Sequence, residues 1–447
     1  MIKMKKFSKT FNKLIISFKK RSNQKEKPIR EGIAPILPTE CMQKIFKYIK
    51  DDNSSKLYSS LLVNRYWSKN VVPFLWDRPF QSCSKQNRYK LINTLLMFFS
   101  LEETGLINSK LKAYNIIIPT QPNPIFNYTA MIHEIHYLEL EKFVLSYLKK
   151  ITFISANEMH QKVQVLFITG SLFQMFLRQS INLKTLIIDK EIYTMDLPDI
   201  SIFTESSSNL LNLSKLKIDY DSKKILNTIH FLNHISELSH NIKNLELKFN
   251  INAYNDELLQ SISKTIRAQK ELREFNLSNV KCAEIESVMM SLLTHDNTLT
   301  SITLAFIKLD QTSLDILLSL SQLKILKLCY CEGLDNYNLS NNNFNLNTLH
   351  LVELSTDLEQ IIHPILQSTG KSIKQLGFNI EYMESLDIVL NYCPNLDEII
   401  LYYLSNDNQN NKFVNKIINR LENSWKEELS LLPFHNKEIS MKTLIYH

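Results

Sequence analysis

Four histidines stand at spacings that could bring imidazole rings together for metal binding. His133 and His136 lie three residues apart in one helical pattern, and His230 and His234 lie four apart in the run HFLNH. Side chains at these spacings share one face of a helix, so each pair could offer two zinc ligands. The first pair has no Cys, Asp or Glu ligands at a matching spacing elsewhere, and HFLNH lacks the glutamate of a zinc-protease helix. We therefore expect no metal site, with the first pair on a surface or half-buried.

The six cysteines have the chemistry to bind metal, to attack substrates or to form disulfides. They stand at positions 41, 83, 282, 329, 331 and 393, scattered over a long chain without a secretory signal. This distribution is typical of reduced, intracellular thiols. The closest pair, Cys329 and Cys331, has no second pair or histidine cluster beside it in sequence, so we interpret the cysteines as packing residues.

The run Gly370-Lys371-Ser372 resembles part of a phosphate-binding loop. Such a loop also requires a glycine five positions before Gly370, where Ile365 stands, and it requires a strand before it and a helix after it. Here a helical pattern precedes the run and a strand pattern follows, which predicts a helix C-terminus. Six glycines in the whole chain and no Gly-x-Ser-x-Gly motif exclude a dinucleotide loop and a serine-hydrolase elbow. We expect no cofactor, no catalytic residue and hence no enzyme.

Composition indicates a soluble globular chain with a basic N-terminus. The net charge is +7, but eleven basic residues lie in the first thirty positions against one acid, Glu26, so the remaining body is near neutral and predicts no nucleic-acid partner. No run approaches the ~18 apolar residues of a membrane-spanning helix. We interpret residues 1–34 as a disordered basic arm. Their apolar residues at helical spacing also fit a membrane-surface helix, an import presequence or a partner helix, and their lysines fit a nuclear signal.

Residues 35–80 form the first predicted folded unit, a small helical module. Pro38 suits the first turn of a helix, and apolar residues recur at helical spacing from Met42 to Ile49. After a polar break, a second apolar stripe leads to Trp67 and can cover part of the first. A module of about 45 residues buries little surface on its own, so we expect it to contact a partner.

This module resembles an F-box, most closely the fungal versions that read LVNRYW before a second tryptophan and a Pro-Phe pair. The resemblance covers about a tenth of the chain and depends on the ordered series of motif residues from Leu37 to Trp76. It implies docking to the small Skp adaptor of an SCF (Skp, cullin, F-box) ubiquitin ligase and, through the adaptor, to a cullin. The adaptor-binding residues that the resemblance implies are Leu37, Pro38, Ile45, Phe46, Ile49, Leu61 and Trp67.

From about Ile181 the frame Leu-x-x-Leu-x-Leu recurs nine times, with Ile or Phe at some positions. Successive frames are separated by about 23 to 30 residues, the period of leucine-rich repeats. Amphipathic helical patterns such as DELLQSISKTIRAQ lie between frames. Each unit is thus a strand plus a helix that buries both apolar faces only when units stack. The first residues of the frames stand at 183, 213, 242, 272, 299, 323, 346, 373 and 396.

The predicted fold class is α/β, with an N-terminal helical F-box followed by a curved leucine-rich-repeat solenoid that has parallel strands inside and helices outside. Residues 81–150 are predicted as a helical linker, 151–405 as the solenoid and 406–447 as a C-terminal cap with a helix and a final edge strand. Cys331 and Cys393 lie where cysteine-containing leucine-rich repeats often place a cysteine, so this half resembles those repeats too.

Residues between the leucines of each frame are expected to point to the inner face, because strand side chains alternate. Both charge signs and neutral groups occur among them, which fits a protein segment better than nucleic acid. The candidate substrate-binding residues are Lys217, Glu246, Lys248, Asn276, Lys327, His350 and Tyr402.

These patterns and the resemblance together predict a non-catalytic substrate receptor of an SCF ubiquitin ligase, whose repeats bind an unknown protein target. We expect it in the cytoplasm, the nucleus or both. The first alternative is a leucine-rich-repeat scaffold unrelated to ubiquitin, in which the N-terminal helices only cap the repeats. The second alternative is a repeat protein whose basic N-terminal tail tethers it to a membrane or to nucleic acid.

Overall fold

A computed structural model gives the fold over most of the chain. It describes residues 37–52, 55–114, 116–118, 124–151, 158–189, 210–220, 226–251, 256–280, 285–333, 345–352, 365–379, 389, 391–404 and 440–446. The basic N-terminal arm and the helix predicted before the final strand lie outside the described residues. The chain divides into two compact units, one up to Phe74 and one from Leu75 onward, so the boundary lies earlier than the predicted one at residue 80.

The helices of the first unit begin where the sequence places start signals. The Pro38 carbonyl accepts hydrogen bonds from the N–H groups of Cys41 (3.0 Å) and Met42 (3.1 Å), which sets the start of the first helix. Glu40 in its first turn and Lys50 in its last turn complement the helix dipole. The described helices are α1 (Thr39–Asp52), α2 (Ser55–Leu61) and α3 (Arg65–Leu75).

Phe46 is the centre of the small core of the first unit. Its side chain is fully buried. Its ring meets Trp67 edge-to-face at a centroid distance of 5.5 Å and Phe74 at 6.3 Å. Met42, one turn earlier in α1, is buried as well. The apolar stripe of α1 therefore packs against α3, which holds the two helices together.

The second unit begins with helices that share one continuous core with the sheet behind them. The Phe80 ring contacts Phe143 and Phe176 edge-to-face, and the same cluster of buried side chains runs on to Leu401. Residues 81–150 are therefore part of the repeat unit, which corrects their prediction as a linker. The described helices before the third strand are α4 (Pro79–Ser82), α5 (Arg88–Leu96), α6 (Leu101–Leu111), α7 (Tyr137–Ile151) and α8 (Glu158–Gln179).

Eleven described strands form one sheet in which chain order equals spatial order and every neighbouring pair is parallel. The predicted α/β class with parallel strands is thus confirmed, and each of the nine frames supplies a strand. The final edge strand also forms, paired with the strand of the last frame. The strands are β1 (Glu134–His136), β2 (Thr185–Asp189), β3 (Lys215–Tyr220), β4 (Asn244–Ile251), β5 (Glu274–Val280), β6 (Ser301–Ala305), β7 (Ile325–Cys329), β8 (Thr348–Val352), β9 (Gln375–Asn379), β10 (Glu398–Leu404) and β11 (Ser440–Tyr446).

The leucines of the frames align across the sheet and bury one of its faces. Leu186, Leu216, Leu245 and Phe275 are neighbours in register, and all are fully buried. Helices between strands cover this face because a parallel crossover places its helix on the sheet. The described helices of this part are α9 (Leu226–Leu238), α10 (Asp256–Arg267), α11 (Glu286–Leu292) and α12 (Gln311–Ser319).

His133 and His136 do not form the predicted helical pair. His136 lies in β1, whose three residues pair in parallel with β2, and α7 starts only at the next residue. The Nδ1 atom of His133 lies 2.8 Å from Asp77 Oδ1, and that of His136 lies 3.3 Å from Asp189 Oδ1. The two imidazoles thus face different carboxylates, and strand pairing outweighs the helical spacing of the sequence.

Candidate functional site

The start of the first unit exposes the Leu37-Pro38 pair. Leu37 is 46% exposed, and Pro38 is exposed as well. The Tyr66 hydroxyl donates a hydrogen bond to the Leu37 carbonyl oxygen over 2.6 Å. This bond ties the beginning of α1 to α3 and leaves both side chains of the Leu-Pro pair accessible to a partner.

The other candidate adaptor-binding residues are less accessible than the Leu-Pro pair. Ile45, Ile49, Leu61 and Trp67 are half-buried. Phe46 does not face a partner at all, because its side chain has no exposed surface. The prediction that Phe46 contacts an adaptor is therefore corrected. Phe46 instead packs against the Trp67 ring inside the unit. An apolar stripe in a sequence identifies a helix face but not which of its residues are fully buried.

Exposed apolar side chains continue in α2 and in the turn that follows it. Tyr58 is 53% exposed, Leu62 89% and Val63 54%. Asn64 then caps α3, because its side-chain oxygen accepts a hydrogen bond from the Trp67 N–H over 2.8 Å. A small helical unit that leaves this many large apolar side chains in water is typical of a unit that binds another protein.

A second candidate site is the sheet face that the leucines do not occupy, which we call the open face. It consists of the first, third and fifth residue of each strand in register, for example Lys215, Lys217 and Asp219 in β3. Strand alternation places these side chains opposite the buried leucines. Most of them from β2 to β7 are half-buried, so this part of the open face is accessible to a ligand.

Ion pairs neutralise the charges of the open face near its N-terminal end. Lys217 Nζ lies 2.6 Å from Glu246 Oε1, and Lys248 Nζ lies 3.4 Å from Asp219 Oδ2. Burial lowers the pKa of Lys217, but the hydrogen bond and charge of Glu246 outweigh it and raise the pKa above its usual value. Since these four charges pair across the neighbouring strands, they offer no excess of one sign to a charged ligand.

The open face is closed at its C-terminal end by a buried cluster. His350 and Tyr402 are only 3% and 5% exposed, and the Tyr402 hydroxyl is hydrogen-bonded to His350 Nδ1. Both were predicted to contact a substrate, and their burial corrects that prediction. Gly377 lies between them, where a Cβ atom would be 2.9 Å from either ring. The glycine thus creates the space in which the two rings meet.

His350 is held in its neutral form by its surroundings. Its pKa is lowered to about 4, mainly by burial and also by the nearby charge of Lys327, while Gln375 and Glu398 oppose the shift. The neighbouring cluster of Val352, Ile400 and Tyr402 adds apolar surface to the same region. A neutral histidine in such a place contributes to packing and does not serve as a proton carrier near pH 7.

Between these two ends lies a part of the open face in which the sequence analysis named only Asn276 and Lys327. The side chains at its fifth register position, Ser278, Ala305 and Cys329, are small and half-buried. Directly after the strands, Phe306 and Tyr330 adopt φ values of 55° and 54°. Their rings stack at a centroid distance of 4.5 Å and an interplanar angle of 3°.

Positive φ is unusual for a large side chain and costs about 1–2 kcal/mol, because Cβ approaches the following carbonyl oxygen. The same conformation occurs at Asn279 (φ 58°), one repeat earlier. The backbone ladder continues through it, since the N–H of Phe306 donates to the Cys329 carbonyl oxygen over 2.9 Å. The repeat therefore fixes this conformation, and the sequence places two aromatic side chains on it.

Cys331, Cys393 and Gly370 are packing residues. Burial raises the pKa of Cys331 and of Cys393 to about 12, which keeps both thiols protonated and unreactive. Gly370 begins a short 3₁₀ turn, and a Cβ atom there would lie 2.4 Å from the Tyr392 carbonyl oxygen, so its role is close packing. Within the described residues, no group of three or more His, Cys, Asp or Glu side chains could hold a metal ion.

No protein-family model matches the chain, and no curated protein matches it. Among the helices that the structure describes, none has both the length and the apolar character needed to cross a membrane.

Proposed function

We propose that this protein is a substrate receptor of an SCF-type ubiquitin ligase, with an F-box in its first unit and leucine-rich repeats in its second. The proposal depends on one observation above the others. The residues of the F-box pattern from Leu37 to Trp67 fall in a compact helical unit, and α1 of that unit begins directly behind an exposed Leu-Pro pair.

The second unit supports the proposal through its repeats. Nine sequence frames become nine parallel strands, with helices between successive strands from β3 to β7, which is the construction of a leucine-rich-repeat domain. Such domains present a sheet face to protein ligands, and here the open face from β2 to β7 is half-exposed with mixed charge. The first unit would bind the Skp-type adaptor, and the open face would bind the target protein.

In this mechanism the protein acts by positioning alone. A target held on the repeats has its lysines at a high effective concentration near the conjugating enzyme that the cullin carries. The chain itself supplies no nucleophile, base or metal to the transfer of ubiquitin.

Co-expression with a Skp-type adaptor tests the proposal. The wild-type chain should co-purify with the adaptor, and Leu37→Asp should abolish this because it places a charge in the centre of an apolar contact. Since Leu37 is 46% exposed, the variant should keep its fold, as its circular dichroism and melting temperature would show.

The matched control is Leu106→Asp, which makes the same chemical change at a leucine of α6 that is 61% exposed. It should bind the adaptor like the wild type. The proposal would be contradicted if the adaptor did not bind the wild-type chain, or if it bound Leu37→Asp equally well. A leucine-rich-repeat scaffold unrelated to ubiquitin would then be the better interpretation.

A further inference from the structure

We propose that the middle of the open face, from β5 to β7, binds an extended segment of the partner protein in which a carboxylate lies about three residues from an aromatic side chain. The proposal deepens the function above, since it names the chemistry of the target segment, and it rests on the role of the repeats as the target-binding part.

The floor of this site, meaning the strand residues between Lys327 and the stacked aromatic pair, consists of small, uncharged side chains. Asn276 and Thr303 are neighbours at the third register position, and Ser278, Ala305 and Cys329 are neighbours at the fifth. All five are half-buried. Small neutral side chains leave room for a backbone to lie along the strands without displacing an ion pair, in contrast to the region around Lys217.

Lys327 gives the site one positive charge that no described carboxylate neutralises. Lys217 and Lys248 on the same face each face a carboxylate across the strand pair. Lys327 instead has Thr303 and His350 as its register neighbours, and within the described residues its ammonium group forms no ion pair. A half-buried ammonium group without an internal partner favours a ligand that brings a carboxylate to it.

The stacked pair of Phe306 and Tyr330 forms the other end of the site. Phe306 is 50% exposed, so one face of the pair is open to an apolar or aromatic side chain. The positive φ of both residues turns them out of the strand direction immediately beyond the small floor. An aromatic ligand side chain would gain contact area here on a ring that stacking already holds in place.

The distance between the two ends sets the spacing of the ligand. Lys327 and Tyr330 are three positions apart at the end of β7, which corresponds to about 10 Å of extended chain. A ligand that runs along the strand direction covers the same distance with about three residues. A single cation also argues against nucleic acid, which would require a row of them.

Selection from a random-peptide phage library on the immobilised full-length chain tests this proposal. The enriched peptides should share an acidic residue two to four positions from Phe, Tyr or Trp. Phe306→Ala and Lys327→Glu should each weaken binding of these peptides about tenfold or more, the size expected for loss of one anchoring side chain.

Charge reversal gives a readout that a purely structural role of Lys327 would not produce. A selection repeated on Lys327→Glu should return peptides with Lys or Arg in place of the acid. The matched controls are Lys324→Glu, an exposed lysine that precedes the same strand, and Met290→Ala, a 47% exposed side chain on α11. Both should bind the original peptides like the wild type.

The proposal would be overturned by a selection that enriches nothing, by enriched peptides without the acidic and aromatic pair, or by binding that the Phe306 and Lys327 variants leave unchanged. None of these outcomes would change adaptor binding, which the proposed function assigns to the first unit. Failure of the proposed site can therefore be distinguished from failure of the proposed function.

Discussion

The two ends of the open face have the same parallel strand register, but their side chains differ in burial and in the kind of contact they make. Near β3 and β4, Lys217 and Glu246 form a half-exposed ion pair, whereas near β8 and β10, His350 and Tyr402 form a buried hydrogen-bonded pair across a glycine. The first arrangement leaves an accessible surface whose charges are already matched. The second removes the surface from solvent and ties three strands together.

This difference predicts which strands of the sheet contribute most to the free energy of unfolding and which are available to bind a ligand. Stability should depend strongly on the buried end and weakly on the ion-paired end, since exposed ion pairs contribute little and buried polar clusters contribute much. Ligand binding should concentrate between them, where the face is accessible and Lys327 forms no ion pair with any residue that the structure describes.

The largest effect is expected from acidification at His350. The folded-state pKa is about 4, below the unfolded value of about 6.5, so below pH 6.5 the unfolded chain binds a proton that the folded chain does not. The stability that neutral His350 contributes is present above pH 6.5 and is lost as the pH falls towards 4, by about 3 kcal/mol in all.

Urea unfolding at a series of pH values measures this loss. His350→Gln keeps a polar side chain that does not titrate, so the free energy of unfolding of this variant should fall less steeply between pH 6.5 and 4 than that of the wild type. Equal slopes for the two proteins would show that His350 does not titrate as its burial implies.

The next effect is expected at Gly377. Gly377→Ala should lower the free energy of unfolding by about 1–3 kcal/mol, because the added methyl group overlaps with the rings of His350 and Tyr402. Gly105→Ala provides the control, since a Cβ atom there meets nothing within 4 Å and the residue lies inside helix α6. That substitution should raise stability by about 0.5–1 kcal/mol. A Gly377→Ala protein as stable as the wild type would contradict the described packing.

A smaller effect is expected at the stacked pair. Phe306→Gly should be more stable than Phe306→Ala by about 1 kcal/mol, because both lose the ring but only alanine keeps the strain of positive φ. At Thr303, inside the strand, the order should reverse, with alanine the more stable replacement. Thermal unfolding of the four variants measures both differences. The same order at both positions would contradict the left-handed conformation of Phe306.

The smallest effect is expected from the ion pair at the other end. A double-mutant cycle of Lys217→Ala and Glu246→Ala should give a coupling energy of about 0.2–1 kcal/mol that shrinks at high salt. A coupling well above this range would mean that the charged end contributes to stability as much as the buried end, and the comparison would fail.

Periodicity in the sequence was sufficient to predict the parallel sheet. The recurring leucines pack only against equivalent leucines of the next repeat, as Leu216 does against Leu245, so their spacing dictates both strand position and register. Periodicity was not sufficient for single residues. His136 has helical neighbours in sequence but pairs with β2, and Phe46 belongs to an apolar stripe yet points fully inward.

The features of the open face depend on contacts between residues far apart in the chain, which a single sequence does not reveal. Alternation correctly places His350 and Tyr402 on the open face, but their burial follows from the missing side chain of Gly377 on the strand between them. The left-handed conformation at Phe306 and Tyr330 likewise follows from the geometry of the repeat and not from the propensity of the residues.

Reconstitution with a Skp-type adaptor and a cullin tests the proposed function most directly. The purified full-length chain, the adaptor and the cullin are mixed, and the mass of the eluting species is measured by light scattering after size exclusion. The account predicts one complex containing a single copy of each protein, and predicts that Leu37→Asp leaves the chain as a separate peak. Separate elution of the wild-type chain, or a complex that Leu37→Asp does not disturb, would contradict it.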